Sequence, residues 1–318
     1  MILITGADGN LGSYVSRLFS NKGLKTRLMS RSGMKPLKNS SVVMADILDK
    51  DLLARACEGV KTVVHLAATL DFGKSQGEMM RINYDGTKNV LDAALGAGAT
   101  KFVYASSVAV YGFNPKLPVF EDSERKAKDA YGLSKIKSED AIKKSGVGFT
   151  FLRPTAIYGR GFETGFRTII NLVKSGKMRI IGDGNNRLHF VHARDCANAF
   201  YLAAAKKPFN AAFNIGGPEV ITQKEAFALV AERLGVTSPY EHVDKRLAVW
   251  GARINYLVKK LQGKNPQVLE RYIRMISSDR YYDISKAKKV LGYNPVVGYA
   301  EGIKEVVNEL SSKKDVRL

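Results

Sequence analysis

Only two cysteines occur in 318 residues, Cys57 and Cys196, far apart and without a CxxC pair. That excludes a disulfide scaffold and a cysteine metal centre, and a reducing, cytoplasmic setting is expected. Histidine is equally sparse, at four residues. His189 and His192 have no carboxylate or cysteine at ligand spacing, so no metal site is expected. No stretch approaches the roughly 18 apolar residues of a membrane-crossing helix. Met1 to Thr5 run directly into a glycine motif, without the charged, apolar and small-residue order of a signal peptide, and none is expected. Acidic residues are in short supply too: 30 Asp and Glu against 50 Lys and Arg leave a net charge of +20. Such a charge attracts phosphates, nucleic acid or anionic lipid, and equally serves plain solubility. No RNA-binding aromatic sequence or other nucleic-acid motif accompanies it, so no nucleic-acid partner is expected.

What is present is an ordinary globular composition, 45% hydrophobic and 25% charged, in a chain long enough for two domains. Short apolar runs near 2–5, 25–30, 41–45, 61–67, 101–106 and 148–153 alternate with helical spacing near 11–22, 49–56, 78–97 and 124–145. This is the βαβ rhythm of a parallel sheet. After Pro154 the order loosens: helices near 164–175, 193–206 and 223–234, strands near 178–181 and 212–215. The expected fold is α/β, a doubly wound parallel sheet with helices on both faces over residues 1–155. A smaller α/β substrate lobe is expected mainly over 156–318, with elements near 189–216 returning to the sheet.

Directly after the first run comes Thr5-Gly6-Ala7-Asp8-Gly9-Asn10-Leu11-Gly12. Glycines spaced three and three allow a tight turn, close approach of backbone to a pyrophosphate, and close packing of helix on strand. The following helix offers its N-terminal N–H groups to the phosphates. This is the Rossmann arrangement for a dinucleotide. The second run ends at Arg31, where an acidic residue would accept from the ribose of NAD; an arginine there suits a 2′-phosphate, so NADP is favoured and NAD is the alternative. Asp46 is placed to meet the adenine, and Ala67 and Ala68 keep the floor under the cofactor small.

Tyr131 and Lys135 stand four apart, on one face of a helix. A tyrosine with a pKa near 10 is a poor base at neutral pH, but a neighbouring ammonium stabilises its phenolate, which then exchanges a proton with a substrate hydroxyl. Ser107, at the end of the fifth run, is positioned to bond the same oxygen. His65 reads as a hydrogen-bonded strand histidine.

Taken together these stations resemble the extended short-chain dehydrogenases/reductases, which include sugar-nucleotide epimerases, 3β-hydroxysteroid dehydrogenases and dihydroflavonol reductases. The matching segments are Thr5 to Gly12, His65-Leu66-Ala67-Ala68, Asn83 to Asn89, Ser106-Ser107 with Val110-Tyr111-Gly112, Tyr131 to Lys135, Leu152 to Gly159, His189 to Asp195 and Asn214 to Gly217. The resemblance implies Tyr131 as acid/base, Lys135 tuning it and holding the nicotinamide ribose, and Ser107 orienting the substrate. It implies cofactor contacts from Gly6, Asp8, Gly9, Asn10, Leu11, Gly12, Arg31, Asp46, Ile47, Leu66, Ala67, Ala68, Asn83, Ala105, Ser106, Tyr131, Lys135, Pro154 and Thr155, and a homodimer through the helices near 78–97 and 124–145. Asn83 is expected to structure the site.

Arg187 resembles the phosphate-binding arginine of the sugar-nucleotide members and is, with Ser107 and Tyr131, a candidate substrate residue. Against that reading, Leu152 to Phe162 lacks the Asn and Gly-Pro-Gly steps of those enzymes, and Ser278 to Pro295 resembles sterol-dehydrogenase endings. Within 241–280, nine basic residues face four acidic ones. There Leu247, Trp250, Ile254, Leu257, Val258 and Leu261 share one side of a basic helix. That pattern suits a cap whose apolar side covers the substrate lobe, or a helix lying on an anionic membrane, peripherally, through 246–261. Hydride exchange with a secondary alcohol or ketone, apolar or sterol-like, is the favoured activity. The alternatives are an NAD-dependent sugar-nucleotide epimerase or dehydratase, and a nucleotide-sensing module without turnover.

Overall fold

Successive residues of a strand face opposite sides of its sheet, so a continuous apolar run needs helices on both. The computed structural model, which describes residues 1–113, 116–261 and 269–312, has that form. In chain order it begins β1 (Ile2–Thr5), α1 (Asn10–Asn21), β2 (Thr26–Ser30), β3 (Ser40–Met44), α2 (Lys50–Cys57), β4 (Thr62–His65), α3 (Gln76–Met80), α4 (Gly86–Gly96), β5 (Lys101–Ala105), α5 (Ala130–Lys144) and β6 (Gly148–Pro154). It continues β7 (Ala156–Tyr158), α6 (Glu163–Lys174), β8 (Ile180–Ile181), β9 (Arg187–Leu188), β10 (Phe190–His192), α7 (Ala193–Ala205) and β11 (Ala211–Ile215). The last elements are β12 (Ile221–Thr222), α8 (Gln223–Leu234), β13 (His242–Val243), α9 (Lys245–Leu261), α10 (Leu269–Ile276) and α11 (Tyr299–Ser312).

Seven strands form one parallel sheet in the order β11-β6-β5-β4-β1-β2-β3. Ile4, Leu28, Val64, Val103, Leu152 and Phe213 pack to one side, with Val15 and Phe19 of α1 and Phe200 of α7. Their neighbours Leu3, Met29, Val63, Phe102 and Phe151 pack to the other, with Leu53 of α2, Leu91 of α4 and Ile142 of α5. A third apolar cluster joins Phe166, Ile170, Phe227, Val230, Ile303 and Val306 of α6, α8 and α11 in the C-terminal lobe. The order reverses between β1 and β4, and ligands of such sheets sit beyond the carboxyl ends of the strands at that point.

Several boundaries differ from the sequence reading. The helix expected over 124–145 begins only at Ala130, because the Asp129 carboxylate caps it by accepting from Gly132 N. Ahead of it the chain is tied to the site instead, through Ala127 N to Val110 O and the Arg125 bonds to Glu139 and Asp140. The helix expected near 78–97 starts earlier, on a Ser75 cap, and carries a π turn at Arg81–Asp85 between α3 and α4. The strand near 178–181 shrinks to β8, held by the unforeseen β13. Among the described residues, no helix is long and apolar enough to cross a membrane.

Candidate active site

The glycine loop lies at the reversal point, between the carboxyl end of β1 and α1. A Cβ on Gly12 would fall 1.9 Å from Gly6 O, so only glycine lets the helix start this close to the strand. Gly9 caps α1 without a side-chain bond, and the first turn contains no acidic residue. The positive end of the helix is thus left for an anion. Asp8 turns back to the sheet, its Oδ2 accepting from Ser30 Oγ at 2.6 Å and Ser32 Oγ at 3.1 Å. Thr5 Oγ1 accepts from Leu66 N and Ala67 N, which fixes the backbone just after β4, where the cofactor contacts Leu66, Ala67 and Ala68 were expected. Arg31 and Asp46 face one another, Nη1 to Oδ2 at 3.9 Å, with 78% and 43% of their side chains exposed. The arginine expected to meet a 2′-phosphate therefore has a carboxylate beside it. Ile47 packs under the start of α4, where a Cβ on Gly86 would fall 2.6 Å from its Cδ1.

Tyr131 enters from the first turn of α5, which rests on the short helical turn Val108–Tyr111 capped by Ser107. Gly132 makes this possible: a Cβ there would meet Ala109 O at 2.7 Å. The ring of Phe72 stands edge-on to Tyr131, centroids 5.9 Å apart. Lys135, one turn along, is buried; its Nζ donates to Ala105 O at 2.7 Å and lies 5.6 Å from the centre of the Tyr131 ring. Burial pushes the ammonium down to about 7, against the pull of Glu139. Burial thus works against the Lys135 charge, and an ammonium at this distance favours the phenolate form of a tyrosine.

Behind this pair lies a polar network that the sequence reading did not identify. Glu139, one further turn along α5, accepts from Ser106 Oγ at 2.5 Å and from Arg153 Nε and Nη2 at 2.8 and 2.7 Å. Arg153 Nη1 donates to Tyr111 OH, which donates to Asn214 Oδ1. Burial opposes the Arg153 charge, and the hydrogen bonds and field of Glu139 overcome it, holding the guanidinium above its usual pKa. The ends of β5, β6 and β11 are thereby locked to α5. The four-residue spacing Tyr131, Lys135, Glu139 was the available signal. His65 is satisfied on both ring nitrogens, by Thr5 Oγ1 at 2.7 Å and Thr87 Oγ1 at 2.9 Å, and burial with the Lys135 charge keeps it neutral, down to about 3. Asn83, in the π turn, clamps the loop after β4 through Thr69 N and Thr69 O.

Pro154 and Thr155 close the site at the end of β6. Thr155 N donates to Ile215 O, while its buried Oγ1 has no hydrogen-bond partner among the described residues. Arg187, the candidate substrate residue, has its fork closed on Asp279, Nε to Oδ1 at 3.0 Å and Nη2 to Oδ2 at 2.8 Å, and it lies over the Tyr281 ring. Among the described residues no group of histidine, cysteine and carboxylates could hold a metal.

Residues 2–216, from β1 through the end of the seven-stranded sheet, match the model of the NAD-dependent epimerase/dehydratase family. The chain belongs to that family. It is an enzyme of the extended short-chain dehydrogenase/reductase type, whose relatives are dehydrogenases, epimerases and dehydratases. Among curated proteins it is 31% identical over 294 residues to a 3β-hydroxysteroid dehydrogenase/decarboxylase of Arabidopsis thaliana, covering 86% of this chain and 67% of that one. It is likewise 31% identical over 332 residues to a putative UDP-glucose 4-epimerase of Methanocaldococcus jannaschii, covering 97% of each. Among solved structures, the UDP-glucose 4-epimerase of Thermotoga maritima superposes with a TM-score of 0.77 over 99% of both chains at 24% identity, a likeness of fold. The residues here suit the dinucleotide that the family name implies: the close Gly12 approach, the uncapped positive end of α1 and the orphaned Thr155 Oγ1 all lie along the carboxyl edge of the sheet.

Proposed function

We propose that the protein interconverts a secondary alcohol and a ketone, apolar or sterol-like, with a nicotinamide dinucleotide as redox partner. The observation that carries the chemistry is the presentation of Tyr131 and Lys135 from one face of α5, next to the Ser107 turn, with Lys135 Nζ anchored on Ala105 O. In this reading Ser107 donates to the substrate oxygen, Tyr131 removes or returns its proton, and the Lys135 ammonium stabilises the phenolate. The bound cofactor supplies hydride acceptor or donor chemistry, held by the Gly6 to Gly12 loop, Asp46, Asn83, Lys135, Pro154 and Thr155. Arg31, in place of a carboxylate at the end of β2, favours NADP over NAD, and Asp46 beside it moderates that preference.

For the substrate, the closure of Arg187 on Asp279 weighs against a diphosphate, because the fork that would bind it is already neutralised. The likeness to a 3β-hydroxysteroid dehydrogenase/decarboxylase supports the same side.

The test is turnover of a panel of 3β-hydroxysteroids with NADP and with NAD, against UDP- and dTDP-sugars without added coenzyme. Oxidation of a steroid alcohol, lowered by about 10²- to 10⁴-fold in Tyr131→Phe with coenzyme binding retained, is the expected result. Rapid conversion of a sugar nucleotide without added coenzyme replaces the proposal with epimerase or dehydratase chemistry.

A further inference from the structure

The 17 residues of α9 carry an apolar stripe whose exposure is the reverse of what a substrate-lobe cap requires. Leu247, Trp250, Ile254, Leu257 and Val258 are 63%, 65%, 39%, 58% and 45% exposed, and none joins a hydrophobic cluster among the described residues. The opposite side of the helix holds it in place. Ala252 is buried, Lys245 Nζ donates to Ser277 O, and Arg253 grips Glu270 of α10 at 2.9 and 3.0 Å. The side chains of Lys259, Lys260 and Leu261 lie outside the described residues. A stripe at i, i+3, i+7 and i+10 spans about 15 Å of helix at 1.5 Å per residue. Leaving it in water forgoes the stabilisation that burying apolar side chains brings.

We propose that this face of α9 docks on an anionic lipid bilayer. Charge selects that partner. Exposed Arg246 stands four residues before the stripe residue Trp250, so it borders the stripe at the level of lipid headgroups. The whole chain carries +20. A second copy would bring the same positive field to the contact, whereas phosphatidylglycerol or phosphatidylserine brings the opposite one. α9 is too charged to cross a membrane and too apolar on one face to stay in water, which is the pattern of a helix lying in the interface. The inference rests on this surface alone and not on the substrate reading.

Trp250 is the sole tryptophan of the chain, so its emission reports this face directly. The experiment uses the full chain with vesicles of phosphatidylcholine alone or mixed with phosphatidylglycerol, reading emission, quenching by brominated acyl chains, and co-sedimentation. The expected result is a blue shift, quenching and sedimentation with the anionic vesicles, weakened by salt. In Leu247→Glu/Leu257→Glu, whose exposed positions leave the fold intact by circular dichroism, sedimentation falls about tenfold or more. An unshifted, unquenched Trp250 overturns the proposal. Equal sedimentation of the double variant also overturns it, assigning binding to overall charge. A concentration-dependent shift without vesicles overturns it in favour of a second copy.

Discussion

Glu139 and Asp279 are both carboxylates held in the fork of an arginine, yet one sits in the sheet's carboxyl edge and the other at the surface of the C-terminal lobe. In the Glu139–Arg153 pair the side chains are 2% and 5% exposed, and in the Asp279–Arg187 pair 41% and 43%. The distances are nearly the same, but the surroundings are not. Removing one member of the inner pair strands a charge where water cannot follow, and the network to Ser106, Tyr111 and Asn214 loses its centre. Removing one member of the outer pair lets water take its place. The inner pair therefore serves as a fixed mount for Lys135 and Tyr131. The outer one is a latch on a residue that otherwise resembles a phosphate ligand.

The comparison is broken most severely by Glu139→Ala, which leaves Arg153 buried without its partner. A loss of about 3–5 kcal/mol in urea unfolding is expected, and an unchanged midpoint would show that the network is not what locks β5, β6 and α5 together.

Next in size is the dependence of stability on pH. Lys135 is held to about 7 in the fold against an ordinary value of 10.5, so between these pH values the unfolded chain binds the proton that the folded chain has released. Its contribution makes stability climb as pH rises from 7 to 10.5, with no slope below 7, where both states are charged. Melting in Lys135→Met should lose that climb. His65, at about 3 in the fold and 6.5 unfolded, acts at the other end: stability falls as pH drops from 6.5 toward 3, and His65→Asn should flatten that limb.

The third test concerns the still more exposed Arg31–Asp46 contact. Arg31→Asp is expected to leave thermal stability unchanged while moving the ratio of NADPH to NADH affinity by about tenfold toward NADH. An unaltered ratio removes Arg31 from coenzyme choice. The smallest effect is expected from Asp279→Asn, within about 1 kcal/mol in stability at moderate salt, because its pair is exposed and screened. If the latch reading is right, the same variant frees Arg187 and raises affinity for a UDP-sugar measured by calorimetry; no change in that affinity would remove Arg187 from substrate binding.

How far the site was legible depended on the range of the interactions. Tyr131 and Lys135 were visible because helical spacing puts i and i+4 together; the same rule extends to Glu139, which was missed. The glycine loop was visible because its demands are local. The pairing of Arg187 was not legible because its partner, Asp279, lies 92 residues later. The late start of α5 was missed since Arg125 and Ala127 are drawn off by contacts with Glu139, Asp140 and Val110, which outweigh their helical spacing.

From the sequence alone came the doubly wound sheet, the glycine turn and the helix that carries Tyr131 and Lys135 on one face, all written in periods of two and 3.6 residues and in glycine positions that act within one turn of the chain. Only the tertiary structure decided which charges are buried, which arginine is already paired, and that the apolar side of α9 faces outward. A helical stripe is the same string of letters whether it meets a core or water; which of the two it meets is set by how α9 is held against Ser277 and Glu270, contacts that no local pattern encodes.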